Sequence, residues 1–196
     1  REGALSFAGA ANYVFTGSLP GTTTLDSLTM ATPLDTMKTQ LGLELTLDEI
    51  TASSLFGELG GTGWEVINGL ILLGGLFLLF RRIISWHVPV ALLGTLFLAS
   101  GLFHLINPDH YAGPMFHLFS GGAMLGAFFI ATDPVSGATS DKGRLWFGAG
   151  VGLLTFIIRT WGGYPDAIAF SVLLMNMAAP TIDYYTQPRV FGHNRG

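Results

Sequence analysis

Three hydroxyls stand close together in Asp26-Ser27-Leu28-Thr29-Met30-Ala31-Thr32-Pro33-Leu34. Thr32 has two uses there. Its hydroxyl can accept a covalent modification, with Ala31 keeping the approach open. Alternatively it caps a helix that starts at Pro33, the ordinary role of a threonine before proline. Asp133-Pro134-Val135-Ser136-Gly137-Ala138-Thr139 offers similar residue types. There, Asp133 and Pro134 also serve as a helix stop, and Gly137 and Gly143 as turn residues. His104, His110 and His117 recur near Asp109. Such a set can gather a metal or line a proton path, although a histidine at an interface needs neither role. Arg159 and Asp166 bracket Gly162-Gly163-Tyr164-Pro165; an arginine there can hold a phosphate or simply sit at a surface.

These groups must be positioned by an unusually apolar chain. Of its 196 residues, 49% are hydrophobic and 11% charged, against roughly 25% charged in soluble domains. Mean hydropathy is +0.51. A water-soluble enzyme is excluded, because so few charges cannot cover so much apolar surface. With no cysteine, disulfides, cysteine-held iron–sulfur clusters and thiolate zinc sites are excluded as well. A net charge of −4 without a basic run argues against a nucleic-acid partner. The first residue is Arg and no signal pattern opens the chain, so it reads as the later part of a longer protein.

Five apolar stretches approach the ~20 residues that cross hydrocarbon as a helix. They run over about 66–80 (continuing into Ile83-Ile84), 89–106, 114–132, 145–158 and 167–182. Arg81-Arg82, Asn107-Pro108-Asp109, Asp133-Pro134 and the 162–166 turn separate them. Arg81/Arg82, Lys142/Arg144 and Arg189/Arg195 all fall on one side by span counting. The positive-inside rule makes that side cytoplasmic. Gly74-Gly75 and Gly121-Gly122 suit close helix packing. No span carries a carboxylate near its middle, so no ion-carrying site is on display.

The resulting expectation is an all-α integral membrane protein of about five transmembrane helices, preceded by an extracytoplasmic loop segment. Residues 1–16 would end a preceding helix, 17–65 form the loop, 66–186 the five-helix domain and 187–196 a cytoplasmic tail. The loop carries Asp26, Asp35, Glu44, Asp48, Glu49, Glu58 and Glu65 against Lys38 alone. Short helices are expected at Pro33–Leu43 and Leu47–Leu59. Nothing in the loop is long enough for an independent core, so it must rest on the membrane part.

The Asp26–Leu34 segment resembles the acceptor sequence on which a flavin transferase attaches FMN to threonine through a phosphoester. That pattern runs Asp, two residues, Ser, Gly, Ala and the acceptor Thr, with another Thr soon after. Here Thr29 replaces Ser, Met30 replaces Gly, and Leu34 stands where the later Thr would fall. The chemistry needs an exposed hydroxyl that attacks the FAD pyrophosphate, releasing AMP and leaving FMN phosphate on the chain. The stretch ending at Thr139 matches the pattern more literally. Its cytoplasmic placement argues against it, since such attachment is expected outside the membrane.

Three longer segments, Leu28–Leu41 (LTMATPLDTMKTQL), Phe128–Gly143 (FFIATDPVSGATSDKG) and Ile182–His193 (IDYYTQPRVFGH), are similar, in the same order, to the RnfD/RsxD subunit family of the Rnf electron-transport complex. That family is related to NqrB of the sodium-pumping NADH:quinone reductase. The likeness covers essentially the whole chain, as the C-terminal part of such a subunit. The family form of the acceptor, Ala-Thr-Pro-Leu, selects Thr32, with Asp26, Thr29 and Ala31 as the attachment motif. The resemblance implies a bacterial inner-membrane subunit relaying electrons through covalent FMN. Its partners would be the membrane and peripheral subunits of the Rnf/Rsx complex, a flavin transferase and the bilayer. The complex couples the ferredoxin/NAD couple to ion movement, or in some relatives reduces a redox-sensing regulator. Arg159 is then a candidate for the flavin phosphate. Tyr164 and Trp161 are candidates for stacking on isoalloxazine, although aromatic residues also belong at membrane interfaces. A second, unattached flavin stays open. Two other readings compete: a transporter or channel whose acidic loop gathers cations, and a structural membrane subunit that carries no cofactor.

Overall fold

A computed structural model describes residues 32–187. Asp26, Thr29, Ala31 and the expected 1–16 helix end lie outside the described residues, as does the tail from residue 188. The chain divides into two units, Arg1–Thr32 and Pro33–Gly196; the helices belong to the second. They are α1 (Pro33–Leu41), α2 (Leu47–Thr51), α3 (Trp64–Phe80), α4 (His87–Ile106), α5 (Pro114–Phe119), α6 (Ala123–Leu125), α7 (Asp141–Trp161) and α8 (Ile168–Thr186). A π-helical segment, Gly126–Ile130, continues α6. Among the described residues no strand forms beyond one isolated bridge between Phe56 and Gly61.

Helix ends follow local chemistry. Pro114 opens α5, where a missing N–H costs nothing. Ser140 caps α7, its Oγ accepting from the Gly143 amide at 2.9 Å. Glu49 in α2 accepts from the Thr46 amide at 3.0 Å, half of a capping box. Helix α3 stops at Phe80 and does not continue into Ile83-Ile84, because Arg82 adopts φ +55° and the Ile83 amide turns back to the Leu78 carbonyl at 3.0 Å. The expected helix over Leu47–Leu59 is cut to five residues. Beyond it, turns carry the chain to α3, and the Glu65 carboxylate closes them by accepting from the Leu59 and Gly60 amides at 2.7 and 2.8 Å.

The third expected span is not one helix. It is broken at Ser120-Gly121-Gly122. Gly121 has φ +74°, a conformation that strains any residue with a side chain. A Cβ there would also lie 2.6 Å from Asp166 Oδ2.

The main core joins α4 and α7 through Leu92, Leu96, Phe147, Val151 and Phe156, all almost without exposure. Gly148 and Gly152 let the two backbones approach. A Cβ on Gly148 would lie 2.7 Å from the Val88 carbonyl oxygen, and one on Gly152 would meet Leu92 O. A second, smaller core joins Met37, Ile50 and Phe56 of the 33–63 segment to Ala112, with Phe116 packed against it. The Leu47 amide donates to the Asp109 carbonyl at 3.2 Å. The acidic segment thus rests on the helical body, at the end that holds the 107–113 loop.

The periphery is apolar. Leu70, Leu73 and Phe77 of α3, Leu98, Leu102 and Leu105 of α4, and Leu173 and Met177 of α8 are all largely exposed. Such a belt is unsuited to water. Helix α4, with 20 residues, is by length and apolarity alone sufficient to cross a membrane; α3 is apolar but has 17 residues.

Candidate functional site

Helix α1 leads from Thr32 into the body. Thr32 is exposed, while Leu34 and Met37 are buried. Lys38 fastens the helix. Its Nζ donates to the carbonyls of Ile158 (3.2 Å), Arg159 (2.9 Å) and Tyr164 (3.4 Å). A cation there neutralises the negative end of α7. Burial lowers the Lys38 pKa from its ordinary value.

Arg159 and Asp166 meet where the third span breaks. Arg159 donates from Nη1 to the His117 carbonyl at 2.6 Å, and from Nη2 to the Ser120 carbonyl at 3.4 Å and to Asp166 Oδ1 at 2.9 Å. Asp166 Oδ2 accepts from the Gly122 amide at 2.7 Å. From the other side, Asn68 Nδ2 of α3 donates to the Phe119 carbonyl at 3.0 Å. Carbonyls at the end of α5 and the amide that opens α6 are thereby satisfied by three side chains from outside the span. Irregular backbone inside an apolar body needs such partners. Burial opposes ionisation of Asp166, but the Arg159 charge and hydrogen bonds from Arg159, Gly122 and Ile168 outweigh it and hold its carboxyl below its ordinary pKa.

The candidate residues therefore separate. Arg159 is buried, with both terminal nitrogens engaged on the protein. Tyr164 is exposed and stacks on Phe170, ring centroids 4.5 Å apart. Trp161 joins Phe103, Phe156 and Tyr111 in an aromatic cluster, with centroids 5.2, 5.8 and 6.3 Å away. His104 Nδ1 lies 2.7 Å from the Tyr111 carbonyl oxygen, His110 packs edge-on to Tyr111, and His117 is buried against Phe156. Among the described residues, no three histidines or carboxylates gather as a metal would require.

Thr139 is spoken for. Its Oγ1 and amide each donate to the Asp183 carboxylate at 2.9 Å, and the neighbouring Ser140 Oγ lies 2.7 Å from Thr186 Oγ1. The loop is stitched to α8.

A cavity of about 300 Å³ opens between α1, the 110–112 loop, α5 and the end of α7. His117, Arg159 and Trp161 line it. Neither this cavity nor the clamp beside it is foreseen from the sequence. Asn68 inside an apolar run, and Arg159 facing Asp166 across a short turn, are the signals that point to the clamp.

A family model described as NQR2, RnfD, RnfE matches residues 4–192. The chain belongs to this family. The RnfD-type subunit of an ion-translocating oxidoreductase complex from Aliivibrio salmonicida is 57% identical over 175 residues, covering 89% of this chain and 50% of that protein. The same-named protein of Pseudomonas paraeruginosa is 59% identical over 172 residues, covering 87% and 49%. That of Aeromonas salmonicida is 52% identical over 198 residues, covering 97% and 57%. The chain thus spans about half the length of these relatives, and its likeness to the RnfD/RsxD subunits runs through the helical body as well as the Thr32 segment.

Proposed function

We propose that this chain works as part of the RnfD-type subunit of an ion-translocating oxidoreductase complex and carries FMN on Thr32 through a phosphoester. The observation that carries this reading is the exposed Thr32 beside the buried start of α1, in a family whose members bear that subunit's name. The residues suit the group. Thr32 supplies a hydroxyl. Among the described residues, Arg159 Nε and His117 Nδ1 are buried without hydrogen-bond partners. Buried polar atoms ordinarily find a partner, and a heterocycle with polar edges supplies one.

FMN, when bound, supplies reversible electron transfer through its isoalloxazine ring. The chain's own residues supply position. Thr32 is an attachment point, not an acid, base or nucleophile during turnover. Lys38 ties α1 to the end of α7, so the tether leaves a fixed support. Five spans cross the bilayer in this reading: α3, α4, the broken α5–α6 span, α7 and α8. The Arg81/Arg82 and Lys142/Arg144 end faces the cytoplasm, and the Thr32 segment faces outward. The other subunits of the complex are the electron partners, and a flavin transferase loads the cofactor.

The test is fluorescence of the denatured full-length protein band under ultraviolet light, after expression with the transferase. A yellow-green band supports the reading. A dark band refutes it, and is the result a cofactor-free transporter or structural membrane protein would give.

A further inference from the structure

The cavity beside α1 belongs to no function assigned so far. We propose that it seats the isoalloxazine ring of the flavin, with Trp161 and Tyr111 as aromatic surface and with Arg159 Nε and His117 Nδ1 as the groups for the ring's polar edge. The proposal rests on FMN being attached at Thr32.

Four observations carry it. The volume, about 300 Å³, lies at the small end of the range for small-molecule pockets, as suits a ring system without its ribityl chain. The walls are aromatic and aliphatic: Phe116, Tyr111, Trp161 and Met37 line it. Flat heterocycles bind against such faces. The polar complement is sparse and specific. Arg159 is held by Asp166 and two carbonyls, which leaves its Nε–H as a fixed, unspent donor beside His117 Nδ1. Isoalloxazine presents carbonyl oxygens and ring nitrogens along one edge that accept such donors. Finally, connectivity suits a tether: Leu34, two residues after Thr32, lines the same cavity.

The charges have a consequence. The Arg159 guanidinium and Lys38 ammonium both line the cavity. Positive charge near the ring favours its reduced, anionic form, so the seat raises the flavin's midpoint potential above that of the same flavin swung into solvent. Asp166 lies behind Arg159 and offsets part of this. Lys38→Met should therefore lower the potential.

Native and denatured emission of one sample provide the test, using the full-length protein loaded by the transferase. An aromatic donor against isoalloxazine quenches its fluorescence. Wild-type emission should be severalfold weaker in the native protein than after denaturation. Trp161→Leu removes a half-exposed donor, and Ala112→Phe fills the cavity from a lining position. Each should raise native emission severalfold while denatured emission stays constant. Native wild-type emission as bright as denatured would overturn the seat, as would variants that leave native emission unchanged. Loss of denatured emission in the wild type would instead overturn attachment itself, so the two failures are distinct.

Discussion

Arg159 and Asp166, 2.9 Å apart and seven residues apart in sequence, hold together a broken apolar segment to which neither belongs. The arginine takes the carbonyls that end α5, and the aspartate takes the Gly122 amide at the start of α6. An arginine at the end of an apolar helix is ordinarily read as a surface group. Here its side chain is 1% exposed, and it works as an internal cap.

Breaking the pair strands a buried guanidinium. Asp166→Asn should cost about 3 kcal/mol, the lower end of the range for removing one partner of a buried pair, because Asp166 is itself partly exposed. The measurement is thermal stability in detergent at neutral pH. A loss under about 0.5 kcal/mol, as for an ordinary surface change, would contradict the clamp.

The same pair sets a pH dependence. The carboxyl of Asp166 titrates below its ordinary value. Its stabilisation is therefore complete above the unfolded pKa of about 3.9 and is lost as pH falls through the lower folded value. Wild-type stability should fall faster than that of Asp166→Asn on acidification below about pH 4. Parallel curves would show that the pair contributes nothing.

Close packing of α4 on α7 is a separate matter. The Cβ of Gly152→Ala would meet the backbone of Leu92, which cannot swing away as a side chain can. A loss of about 1–3 kcal/mol is expected from overpacking. Gly94→Ala, where nothing lies within 4 Å, is the matched control on α4. Equal stability of the two variants would contradict the packing argument.

Thr139→Val removes one hydroxyl bond to Asp183 and, in this account, no cofactor. Covalent flavin should stay at the wild-type level, read by fluorescence of the denatured band. A dark band would move the attachment site to the 133–139 loop and reverse the membrane orientation.

Some of this is legible in the residues alone. Helix α4 is an uninterrupted apolar run between polar turns, and hydropathy alone finds it. The packing of the acidic segment onto the body follows from its lack of a core. The broken span is not legible in the same way, because Pro114–Thr132 is as apolar as its neighbours. What breaks it is non-local: Asn68, Arg159 and Asp166 come from other elements. The sequence suggests Gly121 for packing, whereas its backbone conformation and the approach of Asp166 require it. Likewise, Arg159 can be placed near the 162–166 turn, but its burial depends on carbonyls that exist only because the helix stops. Asp26, Thr29 and Ala31 lie outside the described residues, so Thr32 alone of the attachment motif has a structural setting.

Mass spectrometry of the tryptic peptide that contains Thr32, taken from full-length protein expressed with the transferase, tests the central claim most directly. The account predicts a peptide heavier by FMN less one water, with fragment ions placing the addition on Thr32. In Thr32→Val, which keeps the shape and loses the hydroxyl, the corresponding peptide should be unmodified at wild-type abundance. An unmodified Thr32 in the wild type, or covalent flavin at full strength in Thr32→Val, would contradict it.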